Sequence, residues 1–344
     1  MSSESTSSEA MPPPHAQIIQ MGTASLVSAI VYAAAKLGIA DHLATGAKSA
    51  AELAGPTGTH APSLHRFLRS LAGFGIVTEQ ADQRFALTPL GEALQTGAPG
   101  SARASVLTLA GPMFWNSLAE FIYSLETGKP SFEKAFGMPV FEYLAQNPEA
   151  ASAFSETMVG FHGQEPPAVA KAYDFSGIKT LVDVGGATGN MLATILSAHS
   201  GVHGVLFDLP HVVREAPAFL EARGVGDRVT IEGGSFFESV PSGGDAYLLS
   251  HIIHDWSEEQ CLTILSKCRE AMPPAGKLLL VEFVLPPGDA PHPGKVLDMV
   301  MLTMPGGQER TGAEYDELLR KAGFCLTRVI PTESPASIVE AVLA

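Results

Sequence analysis

Cationic side chains are scarce in this sequence: 21 Lys and Arg stand against 36 Asp and Glu, a formal charge of −15 over 344 residues. A surface that neutralises phosphates needs the opposite balance, so general binding to nucleic acid or to anionic lipid is disfavoured. Cysteine is scarcer still. Cys261, Cys268 and Cys325 form no C-x-x-C pair and lie far from any histidine cluster, which suggests neither a zinc site nor a disulfide framework and fits a reducing cytoplasm. Long apolar runs are missing as well: the most apolar stretch, Thr23 to Ala35, is stopped by Lys36 and is too short to span a bilayer. The Ser/Pro-rich start, residues 1–14, has no cationic n-region or apolar h-region and reads as a disordered arm, not a signal peptide. What is left is enough chain for about two domains.

The run Leu181-Val182-Asp183-Val184-Gly185-Gly186-Ala187-Thr188-Gly189-Asn190 is the most informative feature present. An apolar strand empties into a glycine turn that at once starts a helix, Met191 to Ala198. Glycines let backbone approach a ligand without a Cβ in the way, and the helix start offers unpaired N–H groups. A dinucleotide fingerprint wants G-x-G-x-x-G, but Ala187 holds the second glycine position, so the turn reads D-x-G-x-x-x-G. Asp183, Gly185, Gly186 and Gly189 are therefore candidate cofactor residues. The next strand, Val202 to Phe207, ends in Asp208, whose carboxylate can accept both hydroxyls of a ribose. A generic nucleotide-binding βαβ turn is the competing reading of this segment.

Upstream, apolar residues recur at helical spacing from Ala16 to Leu37, and the many alanines suit a close helix–helix contact such as a dimer interface. A short helix follows at Ser49 to Ala54, then a break at Gly55-Pro56, a helix at Ala61 to Phe74, and strands at Ile76 to Glu79 and Arg84 to Leu87. That order is a winged helix. Its common use is DNA binding, but the presumed recognition helix carries only Arg66 and Arg69 as permanent cations. Residues 104–173 then carry aromatic and thioether side chains at helical intervals, among them Trp115, Met158 and Phe161. Singly these are ordinary core; together they suit the gripping of a flat aromatic substrate.

From Ile178 strands and helices alternate, which predicts a parallel sheet covered on both faces, with ligands beyond the carboxyl ends of its strands. Two last strands, Cys325 to Ile330 and Ser337 to Val342, suit an antiparallel edge. One strand, Ala246 to His251, runs into Ile252-Ile253-His254-Asp255-Trp256-Ser257, where Ser257 is the expected N-cap of a helix, Glu258 to Ala271. A histidine placed there faces a bound cofactor and suits a general base. Glu282, ending the next strand, and Glu309, in Pro305-Gly306-Gly307-Gln308-Glu309-Arg310-Thr311, fall at sites able to orient it.

With Leu181 to Gly189, Phe207-Asp208-Leu209-Pro210, His254-Asp255-Trp256, Glu282 and Gly306 to Thr311 in view, the chain resembles small-molecule O-methyltransferases of the caffeic acid and acetylserotonin type over nearly its full length. The resemblance implies an α/β fold: a class I methyltransferase Rossmann-like sheet with helices on both faces, plus an N-terminal, mostly helical winged-helix dimerisation domain. It implies S-adenosylmethionine as cofactor, a small aromatic acceptor from secondary metabolism, and a homodimer without nucleic-acid or membrane partners. By this likeness His254 is the base, with Glu282 and Glu309 beside it, while Gly185 and Asp208 meet the methionine and ribose ends of the cofactor. Leu209, Ser235, Phe236 and Ser250 complete the expected cofactor set; Trp115, Met158, Phe161, Asp255 and Met301 make up the substrate set. Plant members carry Asp where this chain has Ser235 and Lys where it has Ser250, so the adenine contacts differ, although Phe236 can still lie against the ring. The domain reading is 1–14 arm, 15–103 dimerisation, 104–173 helical bridge, 174–344 cofactor binding, and no metal site is expected. Rival readings are a nicotinamide oxidoreductase, disfavoured by Ala187; a winged-helix regulator, disfavoured by charge; N-methylation; and a relative with other chemistry on a polyketide, disfavoured by His254.

Overall fold

The computed structural model describes residues 12–161 and 163–344, so the expected N-terminal arm lies outside the described residues up to residue 11. The described residues up to 113 and those from 114 on form two compact units. In the first, helices Pro14–Gly22 and Ala24–Lys36 replace the single helix that the apolar spacing predicts. They part at Thr23, whose hydroxyl donates to the Ile19 carbonyl at 2.8 Å, next to Gly22, a poor helix former. Taken together, the 23 residues Pro14–Lys36 are long and apolar enough to cross a membrane by length and composition, which corrects the shorter span counted from Thr23. The apolar pattern continues back through Ile18, Ile19 and Met21, all exposed.

Helix Ala50–Thr57 opens on a capping box, with the Ser49 N–H donating to Glu52 Oε2 at 2.7 Å and the Glu52 N–H to Ser49 Oγ at 3.3 Å. The expected break at Gly55-Pro56 does not occur. Pro56 falls in the last turn, Leu53 is anchored in the core, and Gly58 at φ +63° ends the helix instead. Helix Ala61–Gly73 buries Leu64, Leu68 and Leu71 on one stripe, each contributing about 1.5–3 kcal/mol, and exposes Arg66 and Arg69. β1 (Lys48–Ser49), β2 (Val77–Glu79) and β3 (Arg84–Leu87) pair antiparallel in the order β1-β3-β2, completing the helix, helix, hairpin order of a winged helix.

The second unit holds a seven-stranded sheet. Its strands are β4 (Thr180–Val184), β5 (His203–Asp208), β6 (Val229–Gly233), β7 (Ala246–Ser250) and β8 (Lys277–Glu282), followed, after a short parallel pair β9 (Val284–Leu285) and β10 (Arg310–Thr311), by β11 (Phe324–Pro331) and β12 (Ser337–Leu343). The order β11-β12-β8-β7-β4-β5-β6 makes β4 to β8 parallel and leaves β11 and β12 as the antiparallel edge. Strand order reverses between β4 and β7, and the crevice this opens at the carboxyl ends is where such sheets take ligands. Along β4 and β8 alternate residues feed two different cores: Leu181, Leu279 and Val281 join helix Asn190–Ala198, while Val182, Leu278 and Leu280 join helix Glu258–Ala271. That double burial is why these strands read as unbroken apolar runs. A predicted helix at Val212 to Ala222 divides into a 3₁₀ turn, Val213–Glu215, and helix Ala216–Ala222, because Pro217 has no N–H for the bond that would join them.

Candidate active site

Asp183 and Asp208, near the carboxyl ends of β4 and β5, flank the glycine turn. Gly185 takes φ +75° and donates its N–H to the Phe207 carbonyl at 2.8 Å; a Cβ there would fall 2.5 Å from Ile252 Cδ1. At Gly186 a Cβ would meet Asp183 Oδ2 and Leu206 Cδ1, each at 2.5 Å, and Gly189 at φ +87° leads into helix Asn190–Ala198. Ala187 adopts φ +51° without being glycine, held by its N–H donating to Asp208 Oδ2 at 2.9 Å. The Leu209 N–H donates to Asp208 Oδ1 at 2.6 Å. Burial raises the Asp208 carboxyl, and these two bonds offset part of the rise.

Asp183 differs: it is buried, and among the described residues its carboxylate makes no hydrogen bond of good geometry, with only the Leu192 N–H weakly opposing its burial. Burial, then the charge of Asp208, lifts it to about 7. Phe236 comes within 3.5 Å of where a Gly185 Cβ would stand and packs against Phe237 and Trp256. Ser235 Oγ accepts from the Phe237 N–H at 3.3 Å, and Ser250 ends β7 opposite Val281. A buried carboxylate short of partners, glycines that admit close approach, and a second carboxylate one strand over fit a cofactor with a cationic amino-acid end and a ribose.

His251, at φ +53°, turns the chain out of β7, and the short turn Ile253–Asp255 that follows carries His254. His254 is buried, with Nδ1 2.7 Å from Glu309 Oε1, 3.7 Å from Glu282 Oε2, and Nε2 3.5 Å from Asp255 Oδ1. An ionised carboxylate only accepts, so Glu309 keeps a hydrogen on Nδ1 and sets the lone pair of the neutral ring on Nε2. Glu309 arrives on a loop locked to the histidine turn. The Gln308 N–H donates to the His254 carbonyl at 2.8 Å, and a Cβ on Gly307 would lie 1.8 Å from that oxygen. The parallel β9–β10 pair, with Arg310 opposite Val284, sets this loop beside the end of β8, and the Glu309 N–H donates to Asp298 Oδ1 at 2.8 Å. Glu282 Oε1 accepts the Ile253 N–H at 2.9 Å. Burial first, then the charges of Glu309 and Asp255, push the Glu282 carboxyl well above the usual range; burial likewise lifts Asp255 to about 6. Buried Arg310 is the one permanent cation placed in this group among the described residues, donating to the carbonyls of Ile253 and Gln308.

His254, Glu282 and Glu309 are thus brought together from three separated segments. On the expected substrate side, Met301 is buried on helix Pro293–Thr303 and Met158 is half-buried on helix Pro148–Phe161; the side chain of Phe161 lies outside the described residues. Trp115 is 43 % exposed on helix Pro112–Ala119 and is not drawn into the histidine–carboxylate group. Sequence reasoning missed Glu165, whose Oε2 lies 2.6 Å from His251 Nε2, and gave His251 no separate role. The available signal was an acid ahead of the two prolines that start helix Glu165–Ala172. It also missed Phe141, stacked on Trp256 at 5.2 Å.

Comparison with known proteins places the chain as a whole. Residues 115–325 match the O-methyltransferase domain family, and residues 19–97 match the O-methyltransferase dimerisation domain. The chain is 45 % identical over 324 residues to the phenazine O-methyltransferase PhzM of Lysobacter antibioticus, covering 94 % of this chain and 95 % of that one. It is 34 % identical over 318 residues to the 8-amino-8-demethylriboflavin N,N-dimethyltransferase of Streptomyces davaonensis, covering 91 % of each. The O-methyltransferase NcsB1 from neocarzinostatin biosynthesis, solved with S-adenosylmethionine and 2-hydroxy-5-methyl naphthoic acid, superposes with a TM-score of 0.83 at 32 % identity, covering 92 % of this chain and 96 % of that one. With the glycine turn at the switch point of its sheet and the winged-helix unit ahead of it, the chain belongs to the S-adenosylmethionine-dependent O-methyltransferase family.

Proposed function

We propose that this methyltransferase methylates a hydroxyl of a small aromatic metabolite, with His254 as general base. The observation that carries the proposal is the buried 2.7 Å contact between His254 Nδ1 and Glu309. A phenol near pKa 10 and a histidine near 6.5 leave proton transfer uphill by roughly 5 kcal/mol in water, so the site has to supply most of that difference. Glu309 supports the imidazolium once Nε2 has taken the proton, and Asp255, ionised above about 6, adds negative charge 3.5 Å from Nε2. S-adenosylmethionine, when bound, supplies an electrophilic methyl on a cationic sulfur. Asp183 meets its amino-acid end, Asp208 its ribose hydroxyls, and Phe236 its adenine. Met158, Phe161, Met301 and Trp115 are assigned to the flat acceptor, whose alignment with the methyl group is worth several kcal/mol.

Incubating the protein with labelled S-adenosylmethionine and a panel of phenolic, naphthoate and phenazine acceptors, with products read by mass, tests this reading. His254→Ala should lower turnover at least about a hundredfold with cofactor affinity unchanged. Near-normal turnover in that variant would sink the base assignment. The relative named as an N,N-dimethyltransferase keeps an aromatic amine as the second acceptor class, and amine acceptors in the panel decide between the two.

The same reading makes residues 15–103 a dimerisation domain, 104–173 a helical bridge toward the acceptor, and 174–344 the cofactor-binding domain of a cytoplasmic homodimer. The match to a dimerisation domain and the exposed Ile18, Ile19, Met21 and Leu26 support it. Deleting Ala16 to Leu37 should give monomers or aggregates with little activity by light scattering and assay. A fully active monomeric full-length protein would contradict the dimer.

A further inference from the structure

Beside the His254–Glu309 pair lies a second imidazole–carboxylate pair that the proposed reaction leaves unused. Glu165 Oε2 sits 2.6 Å from His251 Nε2, both side chains are nearly buried, and the two histidine rings are 5.1 Å apart. Between them stands Glu282. Its Oε2 is buried, has no hydrogen-bond partner among the described residues, and lies 3.8 Å from His251 Nδ1 and 3.7 Å from His254 Nδ1. Both gaps are too long for hydrogen bonds. They suit two metal–ligand bonds of about 2.0–2.1 Å meeting at a wide angle. The ligand atoms of His251, His254 and Glu282 all fall within 4.8 Å of one another, although their spread over the turn after β7 and the end of β8 hides the set in the sequence.

We propose that His251, His254 and Glu282 form a site for a divalent transition ion of the zinc class, and that filling it stops methyl transfer. Three features of the site support this. Glu165 holds His251 Nε2, which turns the Nδ1 lone pair of the neutral ring toward Glu282; a carboxylate on the far nitrogen is the usual outer partner of a metal-bound histidine. Glu309, already 2.7 Å from His254 Nδ1, stands ready as a fourth donor. Four carboxylates, Glu165, Asp255, Glu282 and Glu309, gather here with Arg310 as the placed permanent cation, so a dication offsets a surplus of negative charge. A donor set of imidazole nitrogen and carboxylate oxygen selects zinc, cobalt or nickel over magnesium or calcium, which favour oxygen alone.

On binding, the neutral ring changes tautomer: Nδ1 gives up its hydrogen and bonds the ion, Nε2 takes a hydrogen from solvent, and with no lone pair left Nε2 cannot accept the acceptor's proton. The inhibition rests on His254 being the base; the binding does not.

The test uses the full-length protein, freed of metal with a chelator, and Co²⁺ as the probe. Titration should develop the visible absorption of four-coordinate cobalt up to one ion per chain, with methyl transfer falling in parallel and returning on addition of EDTA. Zn²⁺ should bleach the signal. Glu165→Gln, which removes only the outer carboxylate, should weaken Co²⁺ binding about 10–100-fold. His251→Gln should abolish the absorption; if that variant does not fold, Glu165→Gln decides. The proposal is overturned if cobalt stays in its six-coordinate aqueous form, if the absorption survives undiminished in both variants, or if a fully loaded protein transfers methyl at the metal-free rate. Failure of the base assignment reads differently: metal-free His254→Ala would then turn over normally.

Discussion

Glu340 on β12 and Asp183 on β4 are both buried carboxylates on one sheet, yet their surroundings are opposite. Glu340 accepts from Arg328 Nε and Nη2 at 3.0 Å each, from Thr327 Oγ1 at 2.7 Å and from the Tyr173 hydroxyl at 2.5 Å. Burial alone would raise its carboxyl, but the bonds from Arg328, Tyr173 and Thr327 together outweigh burial and hold it at about 2. Asp183 has burial and the charge of Asp208 with only the Leu192 N–H against them, and stands at about 7. The satisfied charge ties strands of the antiparallel edge together. The unsatisfied one costs stability, and on the proposed reading it is offset by a cationic ligand arriving at the switch point of the sheet.

The contrast is sharpened by breaking each side of it. The largest effect is expected at Gly307 in the catalytic turn, where any side chain would strike the His254 carbonyl. Gly307→Ala should cost at least the about 3 kcal/mol of severe overpacking and should separate Glu309 from His254, with turnover down tenfold or more; denaturant unfolding and the transfer assay check it. Glu340→Gln should cost about 1.5–3 kcal/mol through weakened charged hydrogen bonds, seen as a melting temperature lower by several degrees, with cofactor affinity unchanged. The pH dependence follows from the sign of the shift. Because the folded value is depressed, this contribution is full above the ordinary glutamate range near 4.5 and is lost as pH falls toward about 2. The variant should therefore lose less stability than the parent across that acid window.

Much of the sheet was legible because its signals are local. β4 spans Thr180–Val184 and the helix capped by Ser257 spans Glu258–Ala271, both where the apolar runs and the capping residues put them. The breaks at Thr23 and Pro217 were not, since each depends on one residue interrupting an otherwise sound period. The winged-helix order survived even though Pro56 ended no helix. At the site, the glycine turn announced itself through backbone freedom, whereas the convergence of His254 with Glu309 was expected only in outline, from an acid near a strand end and from family resemblance. Its physical cause is long-range: Gly307 packed on the His254 carbonyl and a two-residue parallel pair, β9–β10, neither of which has a periodic signature. Glu165 was missed for the same reason, its partner His251 lying far along the chain.

The central claim, that the unsatisfied carboxylate serves the cofactor and the satisfied one serves the fold, is tested most directly by calorimetric titration of S-adenosylmethionine into the parent and Asp183→Asn at pH 6 and pH 8. Asp183 must be ionised to meet a cationic ligand, and its carboxyl stands at about 7, so parent affinity should rise with pH through that value, by at most about tenfold per unit, and then level off. Asp183→Asn should bind weakly, without the pH step. Since a raised folded value destabilises the ionised form, the variant should also melt no lower than the parent at pH 8. Tight, parent-like binding by Asp183→Asn, or a fall in its melting temperature like that of Glu340→Gln, would contradict the account.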